Sequence, residues 1–95
     1  MPFQINTVTV TGAGTAVAFD STSSAPWRFI TVKARPVNGS AVYVGGSGVN
    51  ATAGLMLNAG EAHTFNTEKG GIRLDRLYAN ADVANDRVDY YAYND

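Results

Sequence analysis

The 95-residue chain is expected to be all-β: a single β-sandwich of about eight short antiparallel strands, in a jelly-roll or related Greek-key topology. Three observations predict this. Apolar residues recur at every second position over short runs, the period of a half-buried strand, and no window sustains helical spacing. Gly, Asn, Asp, Ser and Pro punctuate the runs at regular intervals. The apolar fraction, 45%, is that of an ordinary globular chain, and the length suits one domain over residues 1–95.

The first run, Asn6 to Thr11, puts Val8 and Val10 on one face and Thr7, Thr9 and Thr11 on the other. Residues 1–6 read as an N-terminal arm or a frayed end, because Phe3 and Ile5 fall out of phase with Val8 and Val10. A turn at 12–14 leads to a short strand at 16–19, and 20–26 is a polar loop closed by Pro26. The longest run is 27–37. Ile30, Val32 and Ala34 face one way; Trp27, Phe29, Thr31, Lys33 and Arg35 face the other. Asn38-Gly39 follows, the pair best suited to the two positive φ angles of a type I′ turn, so 28–37 is expected to form a hairpin with 40–45.

Beyond it, 55–57 is short and apolar, 58–60 turns, and 61–67 alternates again before a turn at 68–71. Over 72–81 the apolar phase slips at Asp75-Arg76, which predicts a β-bulge or a break between two strands. A turn at 82–86 precedes the last strand, 87–94, with Val88, Tyr90 and Ala92 opposite Asp89, Tyr91 and Tyr93.

The run Tyr43–Glu61 is rich in glycine and raises the question of a ligand cradle. A phosphate-binding loop ends in Gly-Lys-Ser/Thr and opens a helix. Here Gly-Gly-Ser-Gly leads into Val-Asn-Ala-Thr-Ala-Gly, with no lysine and no helix, and no βαβ unit surrounds it. The glycines therefore read as structural: the strand ending at Gly45 turns a corner, Gly46 and Gly48 take unusual φ values, and Val49 tucks back as an anchor. Gly54 and Gly60, with Asn38 and Gly39, complete the expected turn positions.

No constellation for chemistry emerges. His63 is the one histidine and there is no cysteine. A Ser–His–Asp set could be drawn from the plentiful Ser and Asp, but no nucleophile-elbow motif exists. A zinc or iron site would have only carboxylates as further ligands. Residues 82–86 lack the ligand sequence of a calcium loop, and eight acids in so small a chain give no sign of a paired-carboxylate cleft. The expectation is a non-enzyme with no catalytic, metal or cofactor-binding residue. Net charge is −1, and Arg28, Lys33 and Arg35 read as a solvated face, not a nucleic-acid footprint. The N-terminus has no apolar core of a signal peptide, and no membrane-spanning helix is expected. The sequon at Asn50 is then accidental, and the lack of cysteine suits a reducing cytoplasm.

The aromatic content is generous, at 11%, and adjacent Tyr90 and Tyr91 must face opposite ways in a strand. Phe3, Ile5, Trp27, Tyr91 and Tyr93 are thus the candidate protein–protein interface. Tyrosines capping the sandwich edge are the plainer reading, and stacking of Trp27 and the tyrosines on sugar rings, as in a small lectin, is a more distant one.

Within Val37–Asp95, Tyr43-Val44-Gly45 is followed by Val49, Gly54, Leu57, Gly60-Glu61, Leu77-Tyr78 and Ala81, with an Asp/Asn turn before a final apolar strand. This pattern, over about two thirds of the chain, resembles small β-sandwich virion proteins of tailed bacteriophages. The resemblance implies a head decoration (cement) protein on the outer capsid surface, made in the host bacterial cytoplasm. A neck or tail accessory, or a fibre base, is the alternative. It further implies the major capsid protein and copies of itself as partners, in a homo-oligomer such as a trimer. It implies no nucleic acid, membrane, small-molecule substrate or cofactor.

Overall fold

Strands whose alternate residues are apolar must bury one face, and two such sheets meeting face to face satisfy one another. The computed structural model, which describes residues 3–67 and 70–94, is built in this way. In chain order the strands are β1 (Phe3–Val10), β2 (Val17–Ala18), β3 (Pro26–Trp27), β4 (Phe29–Ala34) and β5 (Val42–Gly45). Then come β6 (Leu55–Leu57), β7 (Ala62–Asn66), β8 (Ile72–Arg73), β9 (Tyr78–Ala81) and β10 (Asp86–Tyr93).

One four-stranded sheet has the order β1-β10-β4-β7, the other β2-β9-β5-β6, and β3 and β8 form a short pair of their own. The pairing is nested. β1 joins β10, β2 joins β9, β3 joins β8, β4 joins β7 and β5 joins β6, every pair antiparallel. The chain is thus one long hairpin folded back on itself. Rolling that ribbon brings β10 against β4 and β9 against β5, which splits it into two sheets. This is jelly-roll connectivity. Spacing in the sequence left the strand order open, and the nesting decides it.

Between the sheets lie Val8, Val10, Ile30, Val32, Ala34, Val88, Tyr90 and Ala92 from one side and Val42, Val44, Leu57, Ala79 and Ala81 from the other. Phe19, Trp27, Leu74 and Leu77 close the ends. Full burial of a Val, Leu or Ile side chain contributes about 1.5–3 kcal/mol each, so this cluster supplies the main driving force.

Three expectations need correction. First, β4 and β5 are not a hairpin: they lie in different sheets. Asn38-Gly39 adopts no type I′ turn, since neither residue has positive φ. Asn38 instead uses its carboxamide as a piece of strand. Its Nδ2 donates to the Arg87 carbonyl and its Oδ1 accepts from the Arg87 N–H, both at 2.8 Å. Second, 27–37 is not one run. Trp27 and Ile30 are both buried, and a strand cannot bury residues three apart without a break, which falls at Arg28. The Asn94 side chain bridges that break, accepting from Arg28 N–H at 2.8 Å and donating to the Pro26 carbonyl at 3.3 Å. Third, Phe3–Asn6 are no arm, because they lie in β1 and pair residue for residue with Tyr93–Tyr90, while residues 1–2 of the expected arm lie outside the described residues.

The slip at Asp75-Arg76 is a break between two strands, β8 and β9, with a turn closed by Arg76 N–H to the Arg73 carbonyl at 3.1 Å. The turn foreseen at 68–71 lies partly outside the described residues; its Gly70 and Gly71 have φ of 77° and 66°.

The crossing from one sheet to the other, residues 35–41, is held by Asp86. This carboxylate is only 4% exposed, yet among the described residues no cation pairs with it. It accepts from Gly39 N–H at 2.8 Å, from Ser40 N–H at 3.0 Å and from the Ser40 hydroxyl at 3.3 Å. Asp86→Ala would remove the charged acceptor of the Gly39 and Ser40 N–H groups and of the Ser40 hydroxyl. Loss of about 2–3 kcal/mol of unfolding free energy is expected, read from the urea midpoint at unchanged slope; a loss below about 0.5 kcal/mol would show that the carboxylate does not hold the crossing.

Candidate interaction surface

Each strand of the β1-β10-β4-β7 sheet carries a second set of residues, pointing away from the core. At one end these are Phe3 and Ile5 from β1, Tyr91 and Tyr93 from β10, and Phe29 from β4. The pairing register puts Phe3 opposite Tyr93, Ile5 opposite Tyr91, and Tyr93 opposite Phe29. Phe3 stacks on Tyr91 with ring centroids 5.7 Å apart, Tyr91 meets Tyr93 edge-on at 5.3 Å, and Tyr93 stacks on Phe29 at 4.8 Å. The Arg28 guanidinium lies 5.5 Å from the centre of the Phe29 ring. Cross-strand aromatic pairs of this kind contribute about 0.2–1 kcal/mol each, so the band is assembled before anything binds it.

The band remains open to solvent, with Phe3 58% and Ile5 61% exposed. Toward the other end of the same face the surface turns polar. Thr31 and Thr64 share a hydrogen bond at 3.0 Å, and Arg35 pairs with Asp89 at 3.0 Å. Thr7 completes that group, donating to Asp89 and accepting from Arg35. At this exposure the ion pair is worth about 0.5 kcal/mol. Lys33 is exposed beside it, but Arg35 is neutralised and Arg28 sits at the strand break, so the three cations form no continuous basic stripe.

Four of the five candidate interface residues, Phe3, Ile5, Tyr91 and Tyr93, therefore come together. Trp27 does not join them: the break at Arg28 turns it inward, where it is 8% exposed. It is no platform for a sugar ring. Phe29 belongs to the band and was absent from the candidates. Its phase with Thr31 was visible in the sequence, but only the strand order brings it beside Tyr93.

The glycine-rich loop between β5 and β6 is built differently from the expected corner. Gly46 and Gly48 have no positive φ and no neighbour where a side chain would stand. The loop folds back instead over the outer face of the β2-β9-β5-β6 sheet. Val49 lands on that face against Gly45 and Gly54 and is 4% exposed. A Cβ on Gly45 would meet Val49 at 3.2 Å, and one on Gly54 would overlap the same methyl group. Asn80 fixes the fold-back by donating to the Val49 carbonyl at 2.9 Å. Gly60 alone among the seven expected turn residues has positive φ, 86°.

The acids of 82–86 are engaged separately, Asp82 accepting from the Tyr43 hydroxyl at 2.8 Å and Asp86 turned inward. His63 is exposed near the β7 edge, against Phe65 at 4.8 Å. Among the described residues no three His, Cys, Asp or Glu side chains gather as metal ligands, and no helix is long and apolar enough to cross a membrane.

Scans of protein-family models, curated proteins and solved structures each return no similar protein.

Behind the band, Gln4 turns inward and its amide donates to the Tyr90 hydroxyl at 2.9 Å and to Asp20 at 2.8 Å. Hydrogen bonds from Thr22 and then Gln4 hold the Asp20 carboxyl below its usual range. Burial raises the Tyr90 phenol above its usual range, and the hydrogen bond to Asp82 does the same for Tyr43. Both tyrosines are harder to ionise folded than unfolded, so their contribution is full below the unfolded value, about 10, and is lost as pH rises through the higher folded value. On the alkaline side the thermal midpoint should stay level from neutral pH to about pH 9.5 and fall above about pH 10, less steeply in Tyr90→Phe. An equal fall in wild type and Tyr90→Phe would exclude Tyr90 as a source.

Proposed function

We propose that this is a non-enzymatic virion structural protein of a tailed bacteriophage, a decoration protein that binds the outer surface of the head and stabilises it. The observation that carries the reading beyond resemblance is the preformed aromatic band on an otherwise polar sheet face. Aromatic side chains held rigid and half-exposed are the usual anchors of protein interfaces, because little entropy is lost when a partner covers them. On this reading the partner is the major capsid protein. Many equivalent sites on a closed lattice make a modest contact effective when several copies act together. Jelly rolls serve in capsid proteins and in lectins alike, so the fold does not choose between hosts for the band.

The test uses heads purified from a phage lacking this protein, with the protein added back. Wild type should co-sediment with the heads at a copy number in the hundreds and restore resistance to heat or osmotic shock. Tyr91→Ser/Tyr93→Ser, which leaves the core untouched, should lose about tenfold or more in affinity, the effect of about 1.4 kcal/mol. A dozen copies or fewer would favour the neck or tail, and saturable binding to a glycan array would favour a lectin. Heads no more fragile without the protein would count against decoration.

A further inference from the structure

A strand at the edge of a sheet presents a row of unpaired N–H and C=O groups, and soluble proteins blunt such edges. Of the four edges of the two larger sheets, β2 is two residues long, β6 three and β7 five. β1 is different. It runs eight residues, Phe3–Val10, with no proline and no charged side chain, and leaves Phe3 and Ile5 exposed. Only one side of it is paired among the described residues.

The direction of its free groups follows from its neighbours. Arg87 directs its N–H and C=O to Asn38, on the β4 side of β10. Arg87 therefore does not bond to Thr9, its partner in β1, and the bonded residues of β1 are Gln4, Asn6, Val8 and Val10. Phe3, Ile5, Thr7 and Thr9 point their backbone groups outward. The Asn6 carboxamide, which accepts from the Thr7 N–H at 2.8 Å, is a temporary cap on one of them.

We propose that β1 pairs antiparallel with β1 of a second copy of this chain, about a two-fold axis at Asn6. In that register Phe3 faces Thr9 and Ile5 faces Thr7, four pairs in all, with about eight backbone hydrogen bonds against the 10 ± 5 of a typical interface. An uncharged strand can meet itself without repulsion. Pairing of β1 with the β7 edge would be head-to-tail and leave an open chain of molecules, whereas pairing with itself closes. The result is one eight-stranded sheet across two copies, with Phe3 and Ile5 continuing both aromatic bands toward the axis. The proposal stands whether or not the head is the partner, since it concerns the free protein.

Sedimentation of the full chain should give twice the 10.0 kDa mass, falling to one copy on dilution. Ile5→Lys should be monomeric with an unchanged circular dichroism spectrum, while Met56→Lys, on the other sheet, stays dimeric. Asn6→Cys should form a disulfide-linked dimer on mild oxidation, since facing residues at a non-bonded pair lie about 4.5 Å apart, within disulfide reach. Should Ile5→Lys fail to fold, amide exchange in the wild type decides. The Ile5 and Thr9 amides should slow as concentration rises, and Val83 should not. A wild type monomeric at every concentration, a trimer, or a dimer indifferent to Ile5→Lys would overturn the proposal.

Discussion

The sandwich depends on one buried carboxylate. Two sheets can form from this chain only if residues 35–41 carry it across from β4 to β5, and a crossing takes backbone donors out of both ladders. Asp86 accepts from the two that matter, Gly39 and Ser40, while Asn38 extends the edge of β10 by pairing with Arg87. Because Asp86 is also the first residue of β10, the same group ties the crossing to the strand at the centre of the sheet. β1 and β4 both pair with that strand, so the aromatic band inherits its alignment from the carboxylate beneath its far end.

How much of this was legible follows from which forces act locally. Strand period is local, and Val8/Val10, Ile30/Val32/Ala34 and Val88/Tyr90/Ala92 were each placed on a common face from alternation alone, the face that the fold buries. The phase slip at Asp75-Arg76 correctly marked a discontinuity. Asn38-Gly39 misled because its local preference for a tight turn was overridden by a distant partner, Asp86, which nothing nearby in the sequence announces. Trp27 misled for a related reason: alternation assumed an unbroken strand, and the break at Arg28 depends on Asn94, at the opposite end of the chain.

Of the surface, the tyrosines of β10 were legible because neighbours in a strand cannot both be buried. Their union with Phe3, Ile5 and Phe29 was not, since it requires β10 to lie between β1 and β4. The glycine-rich loop shows the same division. That Val49 would anchor it was readable, but its seat on the outside of a sheet rests on Asn80, which is recognisable as a partner only once β5 and β9 are adjacent.

The nesting of the pairs also dictates an order of assembly. Only β5 and β6 are joined by a short loop; each pair outside them closes a longer one, out to Thr7 and Asp89, 82 residues apart. Loop-closure entropy grows with length, so the glycine-rich tip is the natural place for folding to begin, and β1 meets β10 last. Until then β10 has an empty side, and the β1 of another chain fits it as well as its own. At high concentration the slowest step of folding is thus open to exchange of β1 between molecules, a swap that reuses native contacts and requires no new surface.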